Sequence, residues 1–265
     1  MKKSYQLNGV FPSPQDDRDF PVRSIVKPIV TLPTEVMLEH KLIKILDQGF
    51  CGVCVGKATN SIMSAYYKEA LSSLYIYSLC KLYDGIPNSE GTYPRTAMKV
   101  LQGYGACKEE TMPYSLLKQC TVLPKITDQA LAEGKKRTMT TYARARNLAE
   151  IREALAAGHF ILGVIGVGDN FMEYRGGVLS HLEGRNYGYH AVVFCGFNDI
   201  MEAVRGVNSW GEGWGEKGLF WMSYENFFTQ NNVIEAWIME VKEKPSPSCK
   251  EKVEKFVQRW KSRKG

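Results

Sequence analysis

The sequence predicts an α+β protein of two lobes, helical in its first half and strand-rich in its second. Between Gly56 and Gln102 the small and apolar residues recur at helical spacing. From Phe160 onward they come in short runs rich in Val, Ile and aromatic residues, with glycines between the runs. One further observation places the chemistry. The stretch Gln48-Gly49-Phe50-Cys51-Gly52-Val53-Cys54-Val55 stands directly before the first amphipathic helix.

In chain order, residues 1–32 read as an irregular, Pro-rich segment, because Phe11-Pro12-Ser13-Pro14 and Phe20-Pro21 forbid a long helix. The folded body starts at Leu32-Pro33. A helix is expected from Gly56 to about Leu71, with Ala58, Ile62, Ala65, Tyr66 and Ala70 on its buried face. A second is expected over Ser73–Tyr83 and a third over Arg95–Gln102, closed by Gly103. Asn147 caps a short helix, Leu148–Ala157, that Gly158 ends. Strands follow at Phe160–Val167, His190–Gly196, Ala203–Asn208, Gly218–Met222 and Val233–Val241. This gives a helical lobe at 33–125, a β-rich lobe at 126–241 and a basic tail at 242–265.

Composition narrows the function. The chain has 265 residues, enough for one large domain or two small ones around a cleft. No apolar run reaches the length of a membrane span. Met1-Lys2-Lys3 begins like a signal peptide, but Ser4–Phe11 has no apolar core. The chain is expected in the cytoplasm as written, or outside the cell if a signal was removed. The net charge is +6, and residues 242–265 hold nine Lys/Arg against three Glu. The body is therefore balanced, which argues against a nucleic-acid groove. In the tail, Val253, Phe256, Val257 and Trp260 share one helical face, which suits an anionic membrane, a partner or the body itself.

Cys54 is a candidate nucleophile on residues alone. A cysteine in the first turn of a helix meets unpaired N–H groups and the positive end of the dipole, which favour the thiolate. Cys51 and Cys54 also admit other readings: half a zinc site, a redox pair, or buried structural thiols. Seven cysteines leave at least one thiol unpaired. Of the four histidines, His40, His159 and His181 sit in polar or loop surroundings. His190 opens an apolar strand after a glycine turn. Asn208, beside Trp210 and a run of glycines, is suited to hold an imidazole while the indole shields that bond from water.

These residues together resemble the papain-like cysteine peptidases. The resemblance rests on Gln48-Gly49-Phe50-Cys51-Gly52-Val53-Cys54, on Tyr189-His190-Ala191-Val192 and on Asn208-Ser209-Trp210-Gly211-Glu212-Gly213-Trp214-Gly215. Asp169-Asn170-Phe171, Tyr174-Arg175-Gly176-Gly177-Val178 and Met112-Pro113-Tyr114 also match family segments. His190 follows Cys54 by 136 residues and Asn208 follows it by 154, against roughly 130–150 in papain-type enzymes. The resemblance covers about residues 32–241. It implies a papain-like two-lobe fold, with a helical left lobe, a β-barrel-like right lobe and the active-site cleft between them. It implies a thiol peptidase acting on peptide or protein substrates without metal or cofactor. In it Cys54 is the nucleophile, His190 its ion-pair partner and proton donor, and Asn208 the group that orients His190. Gln48 donates to the oxyanion, and Trp210 covers the His190–Asn208 bond. Gly91, Thr92, Gly163 and Tyr189 are expected to border the substrate groove, each with a purely structural reading beside the functional one.

The chain also departs from the family. Val55 replaces the usual Trp, and Val53 the usual Ser or Ala. The Gly-Cys-x-Gly-Gly segment is missing, with Glu90-Gly91-Thr92-Tyr93-Pro94-Arg95 in its place. By the resemblance, Cys51 loses its usual disulfide partner, and Cys80 and Cys120 fall near the second disulfide. The short N-terminal segment in place of a long pro-domain resembles some bacterial members, and a bacterial or phage type is expected, as is a monomer. Two rival functions use the same residues: a thiol acyltransferase and a silent binding module. Residues 1–32 are expected either to cross the cleft as a strap or to brace the back of the body.

Overall fold

The computed structural model describes residues 7, 9–86, 88–181, 183–225, 227–228 and 232–241. The basic tail expected at 242–265 lies outside the described residues.

The first strand, β1 (Glu35–Met37), precedes three helices: α1 (Cys54–Tyr67), α2 (Ser73–Tyr83) and α3 (Pro94–Gly103). Helix α1 stops four residues before the expected Leu71, because Lys68 turns left-handed (φ 54°) and donates its N–H to the Ser64 carbonyl. The Ser72 hydroxyl caps α2 by accepting from Tyr75 N–H. Pro94, whose missing N–H costs nothing in a first turn, starts α3. Gly56 lets α1 and α2 approach closely: a methyl there would stand 3.0 Å from Tyr77 Cβ.

Then come α4 (Asp128–Gly134), β2 (Thr141–Ala145), α5 (Leu148–Ala156), β3 (Ile161–Gly166), α6 (Asp169–Met172) and β4 (Val178–Leu179). Four long strands end the described chain: β5 (Tyr189–Asn198), β6 (Ala203–Val207), β7 (Leu219–Ser223) and β8 (Val233–Glu240). Asn147 caps α5 through Glu150 N–H, as expected. The sequence reading missed α4, whose cap is Thr127, and the strands β1, β2 and β4, which are too short or too polar to show a period.

The sheet runs β2-β8-β3-β5-β6-β7-β4, with β1 added to β5. Residues 35–37, placed by sequence in the helical lobe, therefore belong to the sheet. The expected barrel-like closure is not found. Among the described residues β2 and β4 pair on one side only, so the sheet is open. Its β2 edge is covered from outside, where Arg144 N–H donates to the Phe20 carbonyl, as an exposed edge must be. Helix α1 packs on β5 and β3, which joins the helical half to the sheet over one continuous apolar core.

Candidate active site

Antiparallel pairing of β5 with β6 sets the first residue pair of the site. It brings the start of β5, where His190 lies, beside the end of β6, which Asn208 follows. His190 Nε2 and Asn208 Oδ1 are 2.8 Å apart, and both residues are buried. His190 Nδ1 is also buried and has no hydrogen-bond partner among the described residues. The Trp210 ring lies 4.9 Å from the imidazole, and Trp210 in turn packs on Phe171 and Trp214. These rings exclude water from the His190–Asn208 bond, which strengthens it.

Cys54 is the first residue of α1 and is completely buried. The helix it heads packs against β5, the strand that carries His190 and Ala191. The nucleophile candidate and the imidazole candidate thus stand on two elements that pack on each other. Burial pushes the Cys54 thiol up to about 12, although the N–H groups of Ala191, Val55 and Cys54 itself pull it down. Burial pushes His190 down to about 4, against the Asn208 hydrogen bond. The sequence reading expected the helix terminus to lower the thiol's pKa. In this structure desolvation outweighs that effect, and the pair is held neutral.

The water is excluded by the N-terminal segment. A methyl on Gly9 would come within 2.6 Å of Cys54 Sγ and 2.9 Å of the Gly52 carbonyl carbon. Glycine is needed there for close approach to the thiol. Val10 bridges Thr92 in parallel, and Phe11 N–H donates to the Thr92 carbonyl at 3.1 Å. The following residues brace the body. Ser13 N–H donates to the buried Glu235 (2.7 Å), Asp19 accepts from Arg95 Nε (3.0 Å), and Val22 and Val26 are buried. The segment thus lies against Cys54 and Thr92 at residues 9–11 and packs on the body beyond them.

Gln48 is buried between the two halves. Its N–H donates to the Ser209 carbonyl (2.8 Å), and the Ser209 hydroxyl donates to Gln48 Oε1 (2.7 Å). That second bond assigns Oε1 as acceptor and leaves Nε2 as donor, here to the Cys51 carbonyl at 3.0 Å. Gly52 N–H donates to Glu90 at 2.6 Å. Ser209 and Glu90 were given no role by sequence reading. The only available signal was that each adjoins a recognised segment.

Two disulfide expectations are corrected. Cys51 pairs with Cys120, across 69 residues of sequence, and Cys80 is a free buried thiol on α2. The missing glycine–cysteine segment removes one family partner for Cys51, and the turn after Tyr114 supplies another in space.

The groove candidates separate. Gly91 (φ 83°) donates its N–H to the Tyr77 hydroxyl, and its carbonyl accepts from Lys81. Thr92 is buried and offers the backbone edge that the N-terminal segment takes. Tyr189 is 36% exposed beside His190. Gly163 lies within fully buried β3, and a side chain there would run into the Phe194 ring, so packing by itself accounts for the glycine.

Comparison with known proteins bears on the family and the fold. The papain family cysteine protease profile matches residues 33–238. An uncharacterized peptidase C1-like protein of Acanthamoeba polyphaga mimivirus is 29% identical over 240 residues, covering 81% of this chain and 73% of its own length. A gut-specific cysteine proteinase of Caenorhabditis elegans is 26% identical over 212 residues, covering 69% of this chain and 64% of the proteinase. The crystal structure of xylellain, a cysteine protease from Xylella fastidiosa, matches with a TM-score of 0.78 at 24% identity, covering 92% of this chain and 99% of that one. The three come from a virus, a nematode and a bacterium, so the likeness does not single out the bacterial type expected from sequence. With the profile spanning most of its length, the chain belongs to the papain family of cysteine proteases and is a cysteine-type peptidase.

Proposed function

We propose that the chain hydrolyses peptide bonds through an acyl-enzyme on Cys54, with His190, Asn208 and Gln48 as the other working residues. Once the N-terminal segment leaves the cleft, water and substrate reach Cys54 and His190. The thiol then gives its proton to His190 Nδ1, the buried nitrogen left open by the Nε2–Asn208 bond. The thiolate adds to the scissile carbonyl carbon. Gln48 Nε2 and the Cys54 N–H donate to the oxyanion, the place where donors lower the barrier most. The C–N bond breaks as the imidazolium protonates the leaving amine. Water, deprotonated by His190, then displaces the thiol from the thioester.

The substrate is a peptide or protein chain that pairs with the backbone edge at Thr92, where Phe11 now sits, beside Gly91. Tyr189 borders that groove on the His190 side. The observation that carries the reading is the buried His190–Asn208 pair on β5, the strand against which the helix headed by Cys54 packs.

The test is Cys54→Ala against Cys51→Ala on reduced protein with a peptide library, products identified by mass. Cys54→Ala is expected to lose at least about a thousandfold in turnover and all labelling by an epoxide thiol trap, with the fold intact. An active Cys54→Ala variant overturns the reading. Peptide products joined to an added amine, in place of free acids, replace hydrolysis by acyl transfer.

A further inference from the structure

Lys57 is a buried lysine on a face of α1 that also carries Cys54, Asn60 and Ser64. It lies one turn into α1, three residues after Cys54, and is 3% exposed. Among the described residues its ammonium forms no ion pair. Its partner is the ring of Tyr114, with Nζ 3.1 Å from the centroid. At the far end of that ring the Tyr114 hydroxyl donates to the Gln48 carbonyl at 2.7 Å. Glu109 steadies the same residue by accepting its N–H at 2.8 Å. A chain of direct contacts therefore runs from the helix that carries Cys54, through Tyr114, to the backbone of Gln48.

A buried ammonium without a carboxylate partner costs desolvation and does not by itself stabilise a fold. Its contact with an aromatic face is attractive, the more so when water is scarce. The ammonium opens onto a pocket of about 210 Å³ lined by Lys44, Asp47, Asn60, Ser73, Glu109 and Tyr114. We propose that Lys57 is a positioning residue for the Gln48 loop. Its ammonium holds the Tyr114 ring, and the Tyr114 hydroxyl holds the Gln48 carbonyl in the place from which the side-chain amide reaches the oxyanion. The inference rests on the thiol-peptidase reading of Cys54 and Gln48.

Burial pulls Lys57 down to about 7, with Glu109 and Asp47 opposing and Lys44 adding to the fall. These are the charged groups facing it. Burial moves the Tyr114 hydroxyl the other way, so it stays protonated and able to donate. The hold is thus strongest below about pH 7 and weakens as the ammonium loses its proton.

The experiment uses the full-length protein with Lys57→Met, Lys57→Arg and Tyr114→Phe. It measures kcat and KM on a small peptide on both sides of pH 7, with melting temperature. The alkylation rate of Cys54 monitors access past the N-terminal segment. Lys57→Met is expected to lower kcat about tenfold below pH 7, with KM and Cys54 access little changed. Its melting temperature should hold or rise, because a buried charge is removed. Lys57→Arg, charged at all these pH values, should restore kcat and keep it above pH 7, where the wild type declines. Tyr114→Phe should match Lys57→Met, and the double variant should be no worse than either. Wild-type kcat and pH profile in Lys57→Met overturn the proposal, as does a loss that follows the melting temperature in every variant. A wild type without peptide hydrolysis overturns the underlying peptidase reading, and the proposal with it.

Discussion

Ser209 and His190 show how single side chains set the chemistry. The Ser209 hydroxyl is the group that decides which end of the buried Gln48 amide donates. Ser209→Ala leaves Gln48 Oε1 without that donor and lets the amide turn, at a cost typical of a lost buried partner. Turnover should fall about tenfold, less than the roughly hundred- to thousandfold expected for Gln48→Ala. Equal turnover in Ser209→Ala and wild type would remove Ser209 from the site. The neutral thiol and imidazole lead to a prediction on pH. His190 sits at about 4 when covered, against an ordinary 6.5, so an uncovered or unfolded state binds more protons between those values. Stability of the covered state is full above pH 6.5 and falls as pH drops towards 4, by about 3 kcal/mol. Cys54 gives the opposite edge, because its covered thiol keeps its proton from 9 to about 12, and the covered state weakens as pH rises through that window. Alkylation of Cys54 in the full-length chain, corrected for the reagent's own dependence on thiolate, should therefore be slowest between about pH 6.5 and 9. A correction-free maximum in that window would contradict the covered, neutral pair.

At the scale of elements, α1 owes its place to its neighbours more than to its own ends. It has no side-chain cap at Val53 and begins inside a loop tied at several points. Those ties are the Cys51–Cys120 disulfide, the Glu90 carboxylate on Gly52 N–H and the Tyr114 hydroxyl on the Gln48 carbonyl. A disulfide closing 69 residues lowers the entropy of the unfolded chain by an amount worth about 4 kcal/mol. Cys120→Ser should lower the denaturation midpoint accordingly while leaving the Cys54 thiol free to react. No change in stability would mean that the loop is held by its polar ties alone. Strand β5 is the counterpart of α1. Its ten residues pair with β1, β3 and β6, and its first turn of chain presents His190 to the helix.

Over the whole molecule, the N-terminal segment joins the two halves and closes the cleft between them. Residues 9–11 lie at Cys54 and Thr92, whereas residues 13–26 pack through Glu235, Arg95 and Val22. Two deletions separate the effects. Removing residues 1–12 should raise turnover on small peptides and speed Cys54 alkylation, with little change in melting temperature. Removing 1–28 should also cost stability, because it strips the buried Asp19 from Arg95 and leaves a buried charge unpaired. Unchanged turnover after removal of 1–12 would show that the segment leaves the cleft freely and exerts no control.

The sequence by itself determined helices α1, α2, α3 and α5, strands β3 and β5 to β8, the cysteine before the first helix, and the histidine and asparagine at strand ends. It did so because each is a local pattern: a period of 3.6 or 2, a cap, or a turn residue beside a polar one. It carried the candidate residues Cys54, His190, Asn208 and Gln48 as well, since their neighbours in the chain are part of the motif. Tertiary structure decided the rest. The partner of Cys51, the open sheet, the membership of β1 and the seat of Gly9 on Cys54 all depend on contacts between residues far apart in sequence. So do the pKa values of Cys54, His190 and Lys57. Desolvation is a property of the neighbours that surround a group in space, and no spacing along the chain records them.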